Sequence, residues 1–423
     1  MLTAIVGVNW GDEGKGRMVD LLSEEYDIVC RFQGGNNAGH TVVNEKGRFI
    51  LNLLPSGILR DEVVNVMGAG MVIDLEHLCG EIRKLREKGV DVTSNNLKIS
   101  DKALICFPYH KIQDILEEER LGDKKYGSTR RGIAPAYGDK YMKKGLRMSD
   151  LLDSNNLNSK LESILEWKNL TFCGYGAHTE EISENRHWLT SYGEKLIPFI
   201  TDTTDYLYSA IESDKNIMFE AQLGSLRDID YGIYPYTTSS QTLAAYAPIG
   251  AGIPGARLDR VIGVMKAYSS CVGEGPFTAE LFGNESKALR EAGAEYGAAT
   301  GRPRRVGGFD IPASRYGIMV QGTTELALTK LDVLSYLERI PVCVAYEIDG
   351  IKTDRFLTGD RLMRAKPVYE YLDGFKTDIS KCRKPEDLPE TALEYINFIE
   401  KAVGCPIKYV SVGAERDDYL VLR

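Results

Sequence analysis

Thr3-Ala-Ile-Val-Gly-Val8, running into Asn9-Trp10-Gly11-Asp12-Glu13-Gly14-Lys15-Gly16, is the stretch that decides the fold class. The first part is a short apolar run rich in β-branched residues, the signature of a buried strand. The second is a loop of three glycines, two carboxylates and one lysine. Beyond it, Arg17 to Leu22 reads as a helix. A strand, a glycine-rich loop and a helix N-terminus together form a phosphate site, because glycines let backbone N–H groups approach the anion and the helix dipole favours negative charge. Lys15 adds a point charge. The spacing departs from the common P-loop: six residues separate Gly7 from Gly14, where the usual motif has four, and Gly16 stands where Ser or Thr would hold a metal. Asp12 is also unusual. A carboxylate beside phosphate is repelled unless a metal lies between them or the carboxylate does acid–base work. Read alone, the stretch is also compatible with an ordinary glycine-rich βα turn.

Working outward, Tyr26 to Phe32 reads as a second strand, ending in Gln33-Gly-Gly-Asn-Asn-Ala-Gly-His-Thr41. Two such loops after strands lie on the same edge of a parallel sheet. Residues 64–68 make a third strand, and Leu75, Leu78, Ile82 and Leu85 mark one face of a helix that stops before Gly89. Further strands are expected at Ile217 to Glu220, Val261 to Tyr268, Leu326 to Leu331, Val342 to Glu347 and Ile407 to Val412. Leu393, Ile396, Ile399 and Val403 form the face of a late helix ending at Gly404. This alternation predicts an α/β fold with a large, mostly parallel central sheet flanked by helices, similar in plan to P-loop NTPases. The stretch from about 100 to 215 is polar and weakly periodic. It reads as helical excursions within one domain spanning 1–423.

Composition narrows the function classes. The chain is 43% hydrophobic and 27% charged with a net charge of −9, which argues against a nucleic-acid binder working by general electrostatics. No apolar run approaches the ~18 residues of a membrane helix, and the N-terminus has no basic region ahead of an apolar one, so no signal peptide is expected. The eight cysteines are scattered without a Cys-x-x-Cys pair, as in Ile28-Val-Cys30 and Val342-Cys-Val-Ala345. They read as free thiols of a cytoplasmic protein, with no Cys/His metal site.

Several loops are dense in cations and hydroxyls. Lys125-Tyr-Gly-Ser-Thr-Arg-Arg-Gly-Ile-Ala-Pro135, the nearby Lys143, Lys144 and Arg147, Thr237-Thr-Ser-Ser240, and Gly301-Arg302-Pro-Arg-Arg305 stand out in an acidic chain. Singly they are solvated loops; together with the phosphate loop they point to a substrate carrying several anions. Thr329-Lys330-Leu331-Asp332 closes a strand. A carboxylate there accepts from both the ring N1–H and the 2-amino group of guanine, donors that adenine lacks, while the lysine stem packs over a base. GTP is therefore favoured over ATP.

These motifs converge on one family. The two glycine-rich loops, Asp228-Ile-Asp-Tyr-Gly with Tyr234-Pro-Tyr-Thr-Thr-Ser-Ser240, Lys266-Ala-Tyr268 with Val272-Gly-Glu-Gly-Pro-Phe277, Thr300-Gly-Arg302, Leu328-Thr-Lys-Leu-Asp-Val333 and Val410-Ser-Val-Gly-Ala-Glu-Arg416 resemble adenylosuccinate synthetase over essentially the whole chain. The resemblance implies a Mg²⁺-dependent ligase with one Mg²⁺ per subunit. GTP, IMP and L-aspartate give GDP, phosphate and adenylosuccinate through 6-phosphoryl-IMP, in the first committed step from IMP to AMP.

The resemblance also implies roles. Asp12 is the base that takes the purine N1 proton, and it ligates Mg²⁺ with the Gly39 carbonyl. His40 is the acid, and Lys15 neutralises phosphate charge. Gly11, Asp12, Glu13, Gly14, Lys15, Gly16, Gly39, His40, Thr41, Arg304, Lys330, Asp332, Ser411, Gly413 and Ala414 surround GTP. Asp12, Asn37, Ala38, Gly39, His40, Thr129, Gln222, Leu223, Thr238 and Arg302 surround IMP. Arg147 reaches the IMP phosphate from the partner of a homodimer. Thr300, Arg302 and Arg304 hold the aspartate carboxylates. Read alone, Asp12 is also compatible with a helix cap and His40 with a structural hydrogen bonder.

The chain departs from the family pattern in places. Leu223 stands where a glutamine contacting the purine is usual, beside Gln222; Lys143, Ala299 and Arg130 replace a usual arginine, threonine and glycine. These leave open a relative that aminates another purine nucleotide, such as a guanine nucleotide, or a non-catalytic GTP-binding protein. Retention of Asp12, Lys15 and His40 speaks against both.

Overall fold

The computed structural model describes residues 1–44, 47–297 and 301–422. Its frame is a ten-stranded sheet. In chain order its strands are β1 (Leu2–Gly7), β2 (Ile28–Arg31), β3 (Val64–Met67), β4 (Leu97–Ser100), β5 (Ile200–Thr201), β6 (Ile217–Glu220), β7 (Arg260–Lys266), β8 (Glu325–Thr329), β9 (Ile407–Ser411) and β10 (Tyr419–Val421). They lie in the order β10-β9-β8-β7-β1-β6-β2-β3-β4-β5, every neighbour parallel except β10 against β9. All six residues of β1 are buried, as an apolar strand covered on both faces must be. The opening stretch is therefore the middle of the sheet.

Parallel order sets the site. The chain leaves β1, β2, β6, β7, β8 and β9 at the same edge, so the loops after them gather there. Helix α1 (Lys15–Leu22) starts directly on Gly14, which holds the left-handed φ of 98°, a conformation that glycine adopts without penalty. The loop after β2 ends in a hairpin, His40–Asn44 against Gly47–Leu51. Helix α2 (Leu75–Glu87) is capped by Asp74, which accepts from the His77 N–H.

The weakly periodic middle folds into five helices, α3 (Pro108–Leu121), α4 (Ile133–Met142), α5 (Ser154–Tyr175), α6 (Ile182–Leu196) and α7 (Thr203–Glu212). Apolar residues of α3, α5 and α6 share one cluster with Met67, Leu97 and Ile99 of the sheet and with α2, whereas Ile133, Ala136 and Tyr137 of α4 pack with Val72, Leu104 and Cys106. Periodicity is weak there because polar residues occupy core positions. Lys168 of α5 is buried, held by Asp139 at 2.7 Å and Gln113 at 2.8 Å. One strand expectation needs correction. Val342 to Glu347 lies within a strand, Arg339–Ile348, but that strand belongs to a separate four-stranded sheet and pairs mainly with Lys366–Asp373. On its other side it pairs with Phe309–Asp310 and Ile351–Thr353, so its neighbours are strands of this second sheet and none of the ten.

Candidate functional site

In the first loop, Gly11 and Asp12 both take positive φ, 102° and 58°, which bends the chain back over the end of β1. Glu13 is almost fully buried, accepting from the backbone N–H of Gly11 at 2.7 Å and of Asn9 at 3.2 Å, and from Lys15 Nζ at 2.6 Å. The Glu13 carboxylate thus occupies the backbone N–H groups of the loop and pairs with Lys15. Gly14 lies against Thr329 at the end of β8, whose hydroxyl donates to the Glu13 carbonyl at 2.6 Å.

The second loop meets the first. Between β1 and β2 in the sheet runs β6, which ends in Glu220. His40 Nδ1 bonds the fully buried Glu220 carboxylate, which also takes the Ser56 N–H and hydroxyl at 2.7 Å each. Burial pushes His40 below its ordinary pKa, against the raising pull of Glu220. Burial pushes Glu220 upward, but His40, Arg31 and the Ser56 N–H outweigh it and hold the carboxyl below its ordinary value. Glu220 therefore fixes the imidazole through Nδ1, so that Nε2 is the ring nitrogen it does not engage. A Cβ on Gly16 would fall 2.6 Å from the His40 Cβ, so the imidazole rests on the first turn of α1. Sequence reasoning saw Glu220 only as a strand end. A lone carboxylate closing an otherwise apolar buried strand was the available signal.

The loop 33–39 is tied to its neighbours. Asn37 accepts from the Gly35 N–H at 3.3 Å, and the Ala38 carbonyl accepts from Asn52 at 3.0 Å. Gln33 Oε1 accepts from the Ser240 hydroxyl at 2.8 Å, which draws the Thr237–Ser240 loop alongside; Thr238 N–H donates to the Arg227 carbonyl at 2.9 Å. Tyr137 of α4 receives the Gly34 N–H at 2.9 Å. The loop leading into α4, with Thr129 exposed on it, approaches the 272–277 loop, Gly127 lying against Glu274. These contacts set the elements side by side as one rim. Gln222 is buried beneath the loop 33–39: its Nε2 donates to the Gly35 carbonyl at 2.7 Å and Gly34 lies against its side chain. Leu223 takes a left-handed φ of 60° and packs on Gly11. Arg147, Lys143 and Arg130 are exposed.

On the other side, Arg304 Nη2 lies 2.9 Å from Asp12 and Nη1 2.8 Å from Glu295. Arg302 is exposed on the same segment, whereas Thr300 and Ala299 lie outside the described residues. Lys330 donates to the Gly293 carbonyl and to Glu295, at 2.7 and 2.9 Å. Asp332 keeps a buried carboxylate oxygen without a partner, and burial pushes its pKa up. The Ser411–Ala414 loop is held by Arg17 of α1, which donates to the Ser411 hydroxyl at 3.2 Å and the Gly413 carbonyl at 2.6 Å. Asp20 of α1 takes Arg416 in a bidentate pair at 2.6 and 2.7 Å. Helix α1 thus links the first glycine-rich loop to the Ser411–Ala414 loop.

This geometry matches known proteins along its whole length. The family model of adenylosuccinate synthetase matches residues 4–420. The chain belongs to the adenylosuccinate synthetase family. It is accordingly a ligase, as the motifs implied. An adenylosuccinate synthetase of Caldanaerobacter subterraneus is 45% identical over 424 residues, covering 100% of this chain and 99% of its own. The fully ligated adenylosuccinate synthetase of Plasmodium falciparum superposes with a TM-score of 0.93 at 37% identity, covering 100% of this chain and 99% of that one. A succinoaminodeoxyadenylate synthetase of cyanophage S-2L, bound to dGMP and dATP, covers 99% of this chain and 95% of its own at a TM-score of 0.63 and 20% identity, and shares the fold. Among the described residues no helix is long and apolar enough to cross a membrane.

Proposed function

We propose that this ligase joins L-aspartate to IMP at the expense of GTP, with Asp12 as the base and His40 as the acid. The single observation that carries the assignment is the meeting of the two loops, with His40 clamped by a buried Glu220 against the first turn of α1, which directly follows the loop that carries Asp12. The purine 6-oxygen is a poor nucleophile until N1 loses its proton. Asp12, 30% exposed at the loop tip, accepts that proton once its ion pair with Arg304 opens. His40 Nε2, in its protonated form, donates to the transferred phosphoryl group and then to the departing phosphate as the aspartate amine attacks C6. An arriving phosphate raises the pKa of His40 and supplies that protonated form. Lys15 and the loop N–H groups take up phosphate charge once Glu13 yields them.

The partnerless Asp332 oxygen supports guanine, which would bring it two N–H donors. Asn37, Thr129 and Thr238 hold the IMP phosphate in this reading. Arg304 and Arg302, with Thr300, serve the aspartate carboxylates. Mg²⁺ fits the same corner. Among the described residues no three metal-binding side chains cluster, and one carboxylate, Asp12, with the Gly39 carbonyl leaves the remaining positions to phosphate oxygens and water, which is how Mg²⁺ is usually held. When bound, it neutralises phosphate charge. Arg147, exposed, serves the IMP phosphate of a neighbouring protomer in a homodimer.

The test is phosphate release from GTP with single omissions. Release requiring both IMP and aspartate supports the reading. Comparable release with GMP in place of IMP would favour a guanine-nucleotide ligase, and binding of GTP without turnover would remove the catalytic assignment.

A further inference from the structure

Glu295 is fully buried, and three cations from three different segments converge on its carboxylate. Lys266, the last residue of β7, approaches at 2.7 Å; Lys330, just beyond β8, at 2.9 Å; and Arg304 at 2.8 Å. The Tyr268 hydroxyl donates to it at 2.5 Å, and the Arg304 backbone N–H donates to the Glu295 carbonyl at 2.9 Å. Arg304 is therefore fixed at two points to one residue, while its remaining edge reaches Asp12 at 2.9 Å.

The charges in this hub do not balance. Within contact distance three cations meet two carboxylates, Glu295 and Asp12, with Asp332 acting on Lys330 from further off. A purely structural buried ion cluster loses stability with unmatched charge. Excess positive charge beside an anion-binding site serves an anion that arrives later. Burial pulls Lys266 down to about 8 even against the raising pull of Glu295, in keeping with a cluster short of negative charge.

We propose that Glu295 is a positioning residue that holds Arg304 and Lys330 in register, so that an incoming aspartate carboxylate takes the edge of Arg304 now held by Asp12 and releases Asp12 for proton abstraction. This rests on the assignments of Arg304 to aspartate and of Lys330 to the guanine nucleotide made above. Glu295 touches no substrate; it acts through the two cations. The loops assigned to IMP, 33–39 and 237–240, make no hydrogen bond with it.

Steady-state kinetics of Glu295→Gln in the full chain test this. The expected result is a rise of about tenfold or more in KM for aspartate and for GTP, KM for IMP within about twofold, and a lowered kcat. Unchanged KM for aspartate and GTP would overturn the proposal, as would an equal rise for all three substrates, the mark of a merely structural role. If Glu295→Gln does not fold by circular dichroism, the charge-balanced pair Glu295→Gln with Lys266→Met is measured against the same criteria. Wild type is read in the same assay. An inactive wild type sinks the underlying reading, whereas an active wild type beside an unselective variant sinks this proposal alone.

Discussion

Replacing Glu220 by glutamine removes one charge from the least exposed part of the site while keeping its size. Glu220 holds His40 Nδ1 and receives two bonds from Ser56, and it has no exposed surface. The amide retains an oxygen for Ser56, so the main loss is the charged partner of the imidazole. A hydrogen bond to a charged group is worth about 1.5–3 kcal/mol. If that energy is spent on holding and protonating His40 in the transition state, and ~1.4 kcal/mol is tenfold in rate, kcat falls about 10- to 100-fold. The pH dependence has a definite sign. Burial already pushes His40 down and Glu220 opposes it; without Glu220, His40 falls further. The acid form is then lost at lower pH, and the alkaline limb of kcat moves to lower pH. The assay is phosphate release at saturating IMP, GTP and aspartate across pH, with thermal melting as a folding control. A folded variant with wild-type kcat and an unmoved alkaline limb would refute the role given to the Glu220–His40 pair.

Asp12→Asn and His40→Ala are each expected to lower kcat at least ~10³-fold, on the scale of a removed general acid or base, while melting as cooperatively as wild type; activity within tenfold of wild type in either would contradict the mechanism. Gly16→Ala places a methyl 2.6 Å from the His40 Cβ, so His40 must shift, and steady-state kinetics should show a loss in kcat of about 10- to 100-fold on the same hydrogen-bond scale. Asp332→Asn should raise KM for GTP about tenfold or more, the worth of one to two hydrogen bonds, and leave residual ATP use unchanged, as measured with each nucleotide in turn. Asp310, fully buried against Tyr346, is pushed up by burial to about 7. The folded protein then holds a proton that the unfolded chain releases from about pH 4, so this group lowers stability as pH rises from about 4 to 7. Asp310→Asn should flatten that slope in thermal melts, and an unchanged slope would exclude the group as its source.

Much of this was legible in the sequence, for reasons that differ by residue. The central strands announced themselves because a parallel sheet buries both faces and leaves continuous apolar runs, as in β1 and β6. The two glycine-rich loops were legible because tight turns that take positive φ, as at Gly11, Gly14 and Gly34, favour glycine. Glu220 and Glu295 were not. Each is one carboxylate whose meaning comes from partners far away in the chain: His40 lies 180 residues from Glu220, and Lys330 lies 35 from Glu295. No local period records such pairs. Nor could the sequence say that Gln222 turns inward to Gly35 while Leu223 takes a left-handed φ on Gly11. That choice depends on the loop after β2. The strand Arg339–Ile348 was recognised as a strand but not as part of a second sheet, because an apolar run records burial and not the neighbour that provides it.

The central claim is that the Asp12 and His40 loops together move the γ-phosphoryl group of GTP onto the purine 6-oxygen. IMP labelled with ¹⁸O at that oxygen tests it directly. With GTP and aspartate present, wild type should deliver the label into the released inorganic phosphate, one label per product formed, and Asp12→Asn should deliver almost none. Product formation with unlabelled phosphate would contradict the account.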